Sequence, residues 1–233
     1  MSFEYVKIPG LDYHLPAVTT DAGRWYKTPD GERYPSASSV AGILNREAIA
    51  KWRARVGVEE ADRKTKKGAD RGTYIHLLCE RFLLGTMTLQ DRLGMMPFMK
   101  ELFLQLKKLF DLHISKIYCI EQALYSDRLR IAGRCDAIVV WDGIPVILDI
   151  KTAGYIKPEA WIQNYFVQTT AYAEMFEERT GIPINHVVLA TAVEGELHGT
   201  ITMKKKDEYL PVLDACIATY YMEQEAVAPL EPI

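Results

Sequence analysis

Two apolar runs, Ala137 to Trp141 and Ile144 to Leu148, are joined by Asp142-Gly143 and carry charges at the ends that buried strands ordinarily exclude. Asp-Gly between apolar runs is a strong hairpin signal, so strands are expected at about 130–141 and 144–151. Gly133-Arg134-Cys135-Asp136 leads into the first run, and Asp149-Ile150-Lys151-Thr152 closes the second. Asp149 and Lys151 are two residues apart and share a strand face. Asp136 starts the neighbouring strand near the level of Asp149. Charges in apolar strands are costly unless a partner neutralises them. A divalent cation bridged to a phosphate would satisfy both carboxylates and the ammonium, which points to metal-dependent phosphodiester chemistry.

A second constellation lies upstream, where Arg71-Gly72-Thr73 leads to His76 and Glu80. Steps of three and four place 73, 76 and 80 along one helix face. Gly72 would let a phosphate backbone approach closely. A neutral imidazole supplies a metal ligand, and a carboxylate one turn later can join it or orient a water. A lone histidine beside an apolar helix face is more often simply packed. Beside the Asp-Lys hairpin, the site reading is favoured.

The 233 residues suit one large domain with a full core. A formal charge of −3 gives no global attraction to nucleic acid, so a polyanion site must be local. From Lys51 to Arg71 eight basic residues face four acidic ones, and the run includes Arg63, Lys64, Lys66 and Lys67 just before Gly72. Such a stretch is often only a solvated helix face; its position favours phosphate contact. Cys79, Cys119, Cys135 and Cys216 lie far apart, so neither a zinc knuckle nor an iron–sulfur cluster is suggested and reduced thiols are expected. No leader pattern or bilayer-length apolar run stands out, and a cytoplasmic protein is expected, with no membrane partner.

Along the chain, a hairpin is expected at 24–34, then helices near 38–45, 48–56 and from about 59. Gly68 and Gly72 should interrupt the third of these before a further helix from Thr73 to Leu84. A helix over 95–113, strands near 115–124, 130–141 and 144–151, and a helix near 159–179 follow. Strands near 184–193 and 197–203 and a helix near 207–224 complete the series, with a fraying tail from 226. The order argues an α/β fold with a mixed central sheet flanked by helices. Residues 1–70 would form an N-terminal hairpin and helical wall, 71–205 a catalytic core, and 206–233 a C-terminal helix and tail.

Gly-Thr-x-x-His-x-x-x-Glu at 72–80, Glu121 on a strand, Gly-Arg-x-Asp at 133–136, Asp-Ile-Lys-Thr at 149–152 and Gln168-x-x-x-Tyr172 occur in the order used by the PD-(D/E)XK nuclease superfamily. The set most resembles its RecB-type exonuclease branch. Tyr34-Pro35-Ser36 with Val40 to Leu44, and the Trp52 segment, are similar to phage exonucleases and mitochondrial genome maintenance exonucleases. The resemblance spans roughly residues 30–195, by motif order. Five elements in order are specific where a lone Asp-x-Lys is not.

The resemblance implies a restriction-endonuclease-like core. His76, Asp136 and Asp149 match metal ligands for Mg²⁺ or Mn²⁺, and the Ile150 carbonyl matches a further one. Lys151 matches the catalytic lysine acting on the attacking water and the phosphate, beside the catalytic carboxylates Asp136 and Asp149. Glu80 and Glu121 match acidic positions of open role, Glu80 being placed with the catalytic set. Gln168 and Tyr172 match a motif placed near the DNA, and Arg71, Gly72, Thr73, Lys64, Lys66, Lys67, Ser36 and Ser38 are expected to face nucleic acid with them. Gln168 and Tyr172 could equally be a satisfied pair between helix and sheet, and Trp52, Trp161 and Tyr165 are more simply core than base-stacking rings. The implied activity is a DNA exonuclease working from free, single-stranded ends in phage or bacterial DNA recombination, replication or processing. A helicase, single-strand-binding or replisome partner is implied, because the chain has no P-loop. A structure-specific endonuclease and a non-cutting nucleic-acid-binding protein of the same fold are the alternatives.

Overall fold

The computed structural model describes residues 3–20 and 23–227. β1 (Glu4–Tyr5) is followed by an antiparallel sheet of β2 (Ala17–Thr20), β3 (Gly23–Lys27) and β4 (Arg33–Pro35). The expected hairpin at 24–34 is thus present and carries a third strand. Next come α1 (Ala37–Ala41), a 3-10 turn (Gly42–Asn45), α2 (Arg46–Val56) and α3 (Val58–Leu83). Ser36 starts α1 in extended conformation and accepts a hydrogen bond from the Ser39 N–H, an N-cap worth about 1 kcal/mol. Gly57, at φ 86°, forms the whole corner between α2 and α3, a conformation that suits glycine.

α3 corrects the expected break at Gly68 and Gly72: it runs unbroken for 26 residues. Each glycine costs a helix about 1 kcal/mol against alanine. Ile75, Leu78, Cys79 and Leu83 meanwhile bury one face of the same helix in the core, which repays more than the two glycines cost.

α4 (Leu89–Leu93) and α5 (Pro97–His113) precede β5 (Ile114–Ser126), β6 (Ile131–Trp141) and β7 (Ile144–Ala153). Asp142 and Gly143 both have positive φ, 48° and 82°, as a type I′ hairpin turn requires. A 3-10 turn (Glu159–Trp161) then opens α6 (Gln163–Thr180), and β8 (His186–Val193), β9 (Thr200–Lys205), another 3-10 turn (Lys206–Glu208) and α7 (Leu210–Val227) follow. Most of the expected fraying tail, 228–233, lies outside the described residues.

The central sheet has the order β1-β5-β6-β7-β8-β9 and is mixed: β1–β5 and β7–β8 are parallel, the other pairs antiparallel. Strand alternation sorts its side chains between two cores. Ile147 and Leu189 pack with α1, α6 and α7, whereas Leu148, Ile150, Val188 and Ala190 pack with α3 and α5. The fold is therefore mixed α/β, a sheet flanked by helices on both faces. No helix among the described residues is long and apolar enough to cross a membrane.

Candidate active site

β6 and β7 pair from Trp141↔Ile144 to Ala137↔Leu148, and the pairing stops there. Beyond that point β6 stays with β5 and β7 stays with β8, so the two central strands fork. Asp136 stands on one arm of the fork and Asp149 on the other. The Ile150 N–H donates to Asp136 Oδ2 at 2.7 Å, which replaces the lost ladder bond and fixes the carboxylate.

α3 delivers His76 to the same place. The helix crosses the end of β7, where Arg71 donates from Nε to Thr152 Oγ1 at 3.0 Å and pairs with Glu194. A Cβ on Gly72 would lie 4.0 Å from Thr152 Oγ1, ordinary contact distance. One turn further on, His76 Nδ1 lies 3.4 Å from Asp136 Oδ1. Glu121 completes the cluster from β5. The register puts it opposite Asp136, since Ile120 faces Ala137 and Gln122 faces Cys135, and its φ of 49° departs from strand geometry. One ligand atom each from His76, Glu121 and Asp136 lie within 4.8 Å of one another, a spacing that suits a metal ion.

Asp149 is 2% exposed, and Lys151 Nζ stands 2.5 Å from its Oδ2. The ammonium is thus the partner of this buried oxygen. The Lys151 ammonium also lies 5.0 Å from the centroid of the Tyr165 ring on α6.

Burial and crowding set the charge states. Burial first, then the Asp136 and Glu80 carboxylates, push Glu121 up to about 7. Burial raises Asp149 to about 6 against the pull of Lys151. Asp136 moves the other way: burial opposes its charge, but His76, Lys151 and the Ile150 N–H outweigh burial and hold it below the usual carboxylate range. His76 would be lowered by burial, yet Asp136 more than offsets this and the net is upward. Lys151 is likewise held up by Asp149 and Asp136 against burial, so it stays an ammonium. Asp136 and Asp149 therefore converge on one lysine, while Glu121 stays partly protonated at neutral pH. The donor set of one imidazole and two hard carboxylates, His76, Glu121 and Asp136, fits a divalent cation.

The other sequence-selected residues fall into distinct places. Ser36 is buried as the α1 cap and its hydroxyl bonds those of Ser38 and Ser39, while Ser38 itself is exposed. Thr73, Lys64, Lys66 and Lys67 are exposed on α3; Lys64 pairs with Glu60 and Lys66 with Asp70. Glu80 is half-buried near Glu121. Gln168 donates to Tyr172 Oη at 3.0 Å, and Tyr172, 3% exposed, packs on the backbone of Gly133. Of that pair only Gln168 retains solvent access. Trp161 is 59% exposed, against the simpler expectation that it is core. Glu121 belongs with His76 and Asp136 more closely than its sequence context indicated, because the β5–β6 register sets it opposite Asp136.

No protein family matches the sequence, and no curated protein matches it. Among solved structures the chain is similar to SSO0001, at 14% identity and a TM-score of 0.41, with 83% of this chain and 77% of that one covered. At that level the likeness carries no argument about function.

Proposed function

We propose that this protein is a metal-dependent DNA nuclease of PD-(D/E)XK type, acting from free ends. The observation that carries the reading is the fork itself, where His76, Glu121 and Asp136 meet beside a buried Asp149–Lys151 pair. His76, Glu121, Asp136 and Asp149 would hold Mg²⁺ or Mn²⁺, with the Ile150 carbonyl at the same strand position. Such an ion, when bound, supplies Lewis-acid stabilisation of charge on the phosphate and lowers the pKa of water.

The chain's own groups do the rest. Lys151 is a fixed ammonium at the fork, able to orient a water and to offset negative charge on the pentacovalent phosphate. Asp149 holds that ammonium in place, and the Tyr165 ring faces it from α6. Asp136 is pinned by the Ile150 N–H, so its orientation does not depend on substrate. Arg71 ties α3 to the end of β7 and thereby keeps His76 over the fork.

The test is a nuclease assay with Mg²⁺ and Mn²⁺ titrated into the metal-free protein, run beside Asp136→Asn. That substitution keeps the shape and removes the charge. Cleavage should require the cation and fall at least about a hundredfold in the variant, in line with loss of a ligand or its support. A folded Asp136→Asn protein that cuts at the native rate would refute the assignment.

A further inference from the structure

A small cleft of about 110 Å³ opens directly beside Lys151, on the face of the sheet that carries Asp149. Its floor is set by strand register. Lys151 faces Thr191 across β7–β8, Thr191 faces Thr200 across β8–β9, and Leu189 faces Thr202. These residues fall on one side of the sheet, so threonine hydroxyls alternate there with the apolar Leu189 and Val193. The walls come from the connection between β7 and α6, where Tyr155 and Ile156 are 57% and 58% exposed although both line the cleft. Tyr165 closes the inner end, with Lys157 Nζ 3.3 Å from its hydroxyl.

This lining combines three properties: a ring and a branched apolar side chain held out in water, hydroxyls that can donate or accept, and two ammonium groups at the rim. The volume is well below the roughly 300–1,000 Å³ of sites for drug-sized ligands, so the occupant is a single small ring system rather than a base pair. Exposed aromatic and apolar groups next to positive charge match a flat base attached to a phosphate.

We infer that the cleft formed by Tyr155, Ile156, Thr191, Thr200 and Tyr165 receives an unpaired nucleobase of the substrate strand, next to the phosphate at Lys151. The inference rests on the nuclease reading for its substrate class, and it adds a base-binding position to a site otherwise built for phosphate. Such a position admits a nucleotide only after its base has left the stack, so it selects single strands without reading sequence. Tyr155 supplies the stacking face and the threonines meet the base edge through hydroxyls that suit any base.

The test separates base from phosphate. Binding of the full chain is measured by fluorescence anisotropy, in chelator so that nothing is cut, to a labelled single-stranded oligonucleotide and to one of equal length in which every nucleotide is abasic. Both strands carry the same phosphates, so their ratio isolates the bases. The native protein should favour the intact strand by roughly five- to a hundredfold, the range for one stacked base. Tyr155→Ala with Ile156→Ala should bring the ratio toward one, with abasic binding unchanged, and Tyr155→Phe should keep it. Both side chains are exposed, so the fold should survive, and an unchanged melting temperature checks this. A ratio that stays high in the double variant overturns the base site and leaves the nuclease reading standing. A ratio that collapses as described, in a protein that cuts no DNA with any divalent cation, upholds the base site and overturns the nuclease reading. Failure of the native protein to bind the intact strand overturns the base site, and the nuclease reading is then decided by the cation-dependent cleavage assay.

Discussion

At the scale of single residues, Lys151 and the carboxylates are separable by experiment. If the ammonium acts on water and on the phosphate at the transition state, Lys151→Ala should lower turnover by about a hundredfold or more and leave cation binding intact. Calorimetric loss of cation binding in that variant would contradict the role. Glu121 gives a second expectation, with a pH sign. Raised from its ordinary 4.5 to about 7, it must shed a proton to bind a cation, as must Asp149 at about 6. Cation affinity should therefore rise with pH through about 6 to 7 and flatten above, with proton release on binding; Glu121→Gln should remove the upper part of that rise. In the metal-free protein the sign for stability is opposite. The folded state prefers protonated Glu121, so stability is greatest below the ordinary value and falls as pH climbs through about 7. Urea unfolding of native and Glu121→Gln protein across that window measures the difference. His76, Asp136, Asp149 and Lys151 were legible in the sequence because their spacing on a hairpin and a helix face is local. The placing of Glu121 was not, since it depends on the register of β5 against β6, and the residue also takes a positive φ that a glutamate rarely adopts.

At the scale of elements, glycines show where local rules suffice. Gly143 was legible because the turn needs its φ, and Gly72 misled because helix propensity is weak against the burial of Ile75, Leu78 and Cys79 on the same helix. β1 was not legible at all: two residues form a strand only because β5 offers an edge. Gly133 has a reason that only the packed structure reveals. A Cβ there would stand 2.6 Å from Tyr172 Cε1, so β6 and α6 meet through a ring laid on bare backbone. Gly133→Ala should therefore destabilise the protein by about 1–3 kcal/mol through overpacking. In a Tyr172→Ala background the added methyl should cost much less, because the obstructing ring is gone. Denaturant midpoints for the four proteins of that cycle measure the coupling. Additive effects would mean that the glycine and the tyrosine do not constrain each other. The motif pair Gly-Arg-x-Asp and Gln-x-x-x-Tyr is in this respect one packing unit that sits behind Asp136.

At the scale of the whole molecule, the cluster draws on both sides of the sheet. His76 arrives on α3 from one face, while Tyr165 on α6 and the cleft residues Tyr155 and Ile156 belong to the other, and the fork between β6 and β7 lies between them. Arg71, bonded to Thr152 and paired with Glu194, ties the α3 side to the strand ends. On the nuclease reading, a phosphate bound for Lys151 would pass between these two walls, a demand that a single strand would meet more easily than a paired one. The basic residues on the exposed first half of α3 are balanced there by acidic ones, Arg63 and Lys64 pairing with Glu60 and Lys66 with Asp70, so this half of the helix carries no net attraction for phosphate. Linear single strands and overhangs should be degraded fastest, blunt duplex more slowly, and covalently closed single-stranded circles slowest of all. An end-labelled time course in Mg²⁺ distinguishes stepwise loss of terminal nucleotides from internal cuts. If closed circles disappear at the rate of the same sequence in linear form, entry from an end is not required, and the walls beside the fork admit a continuous strand from the side.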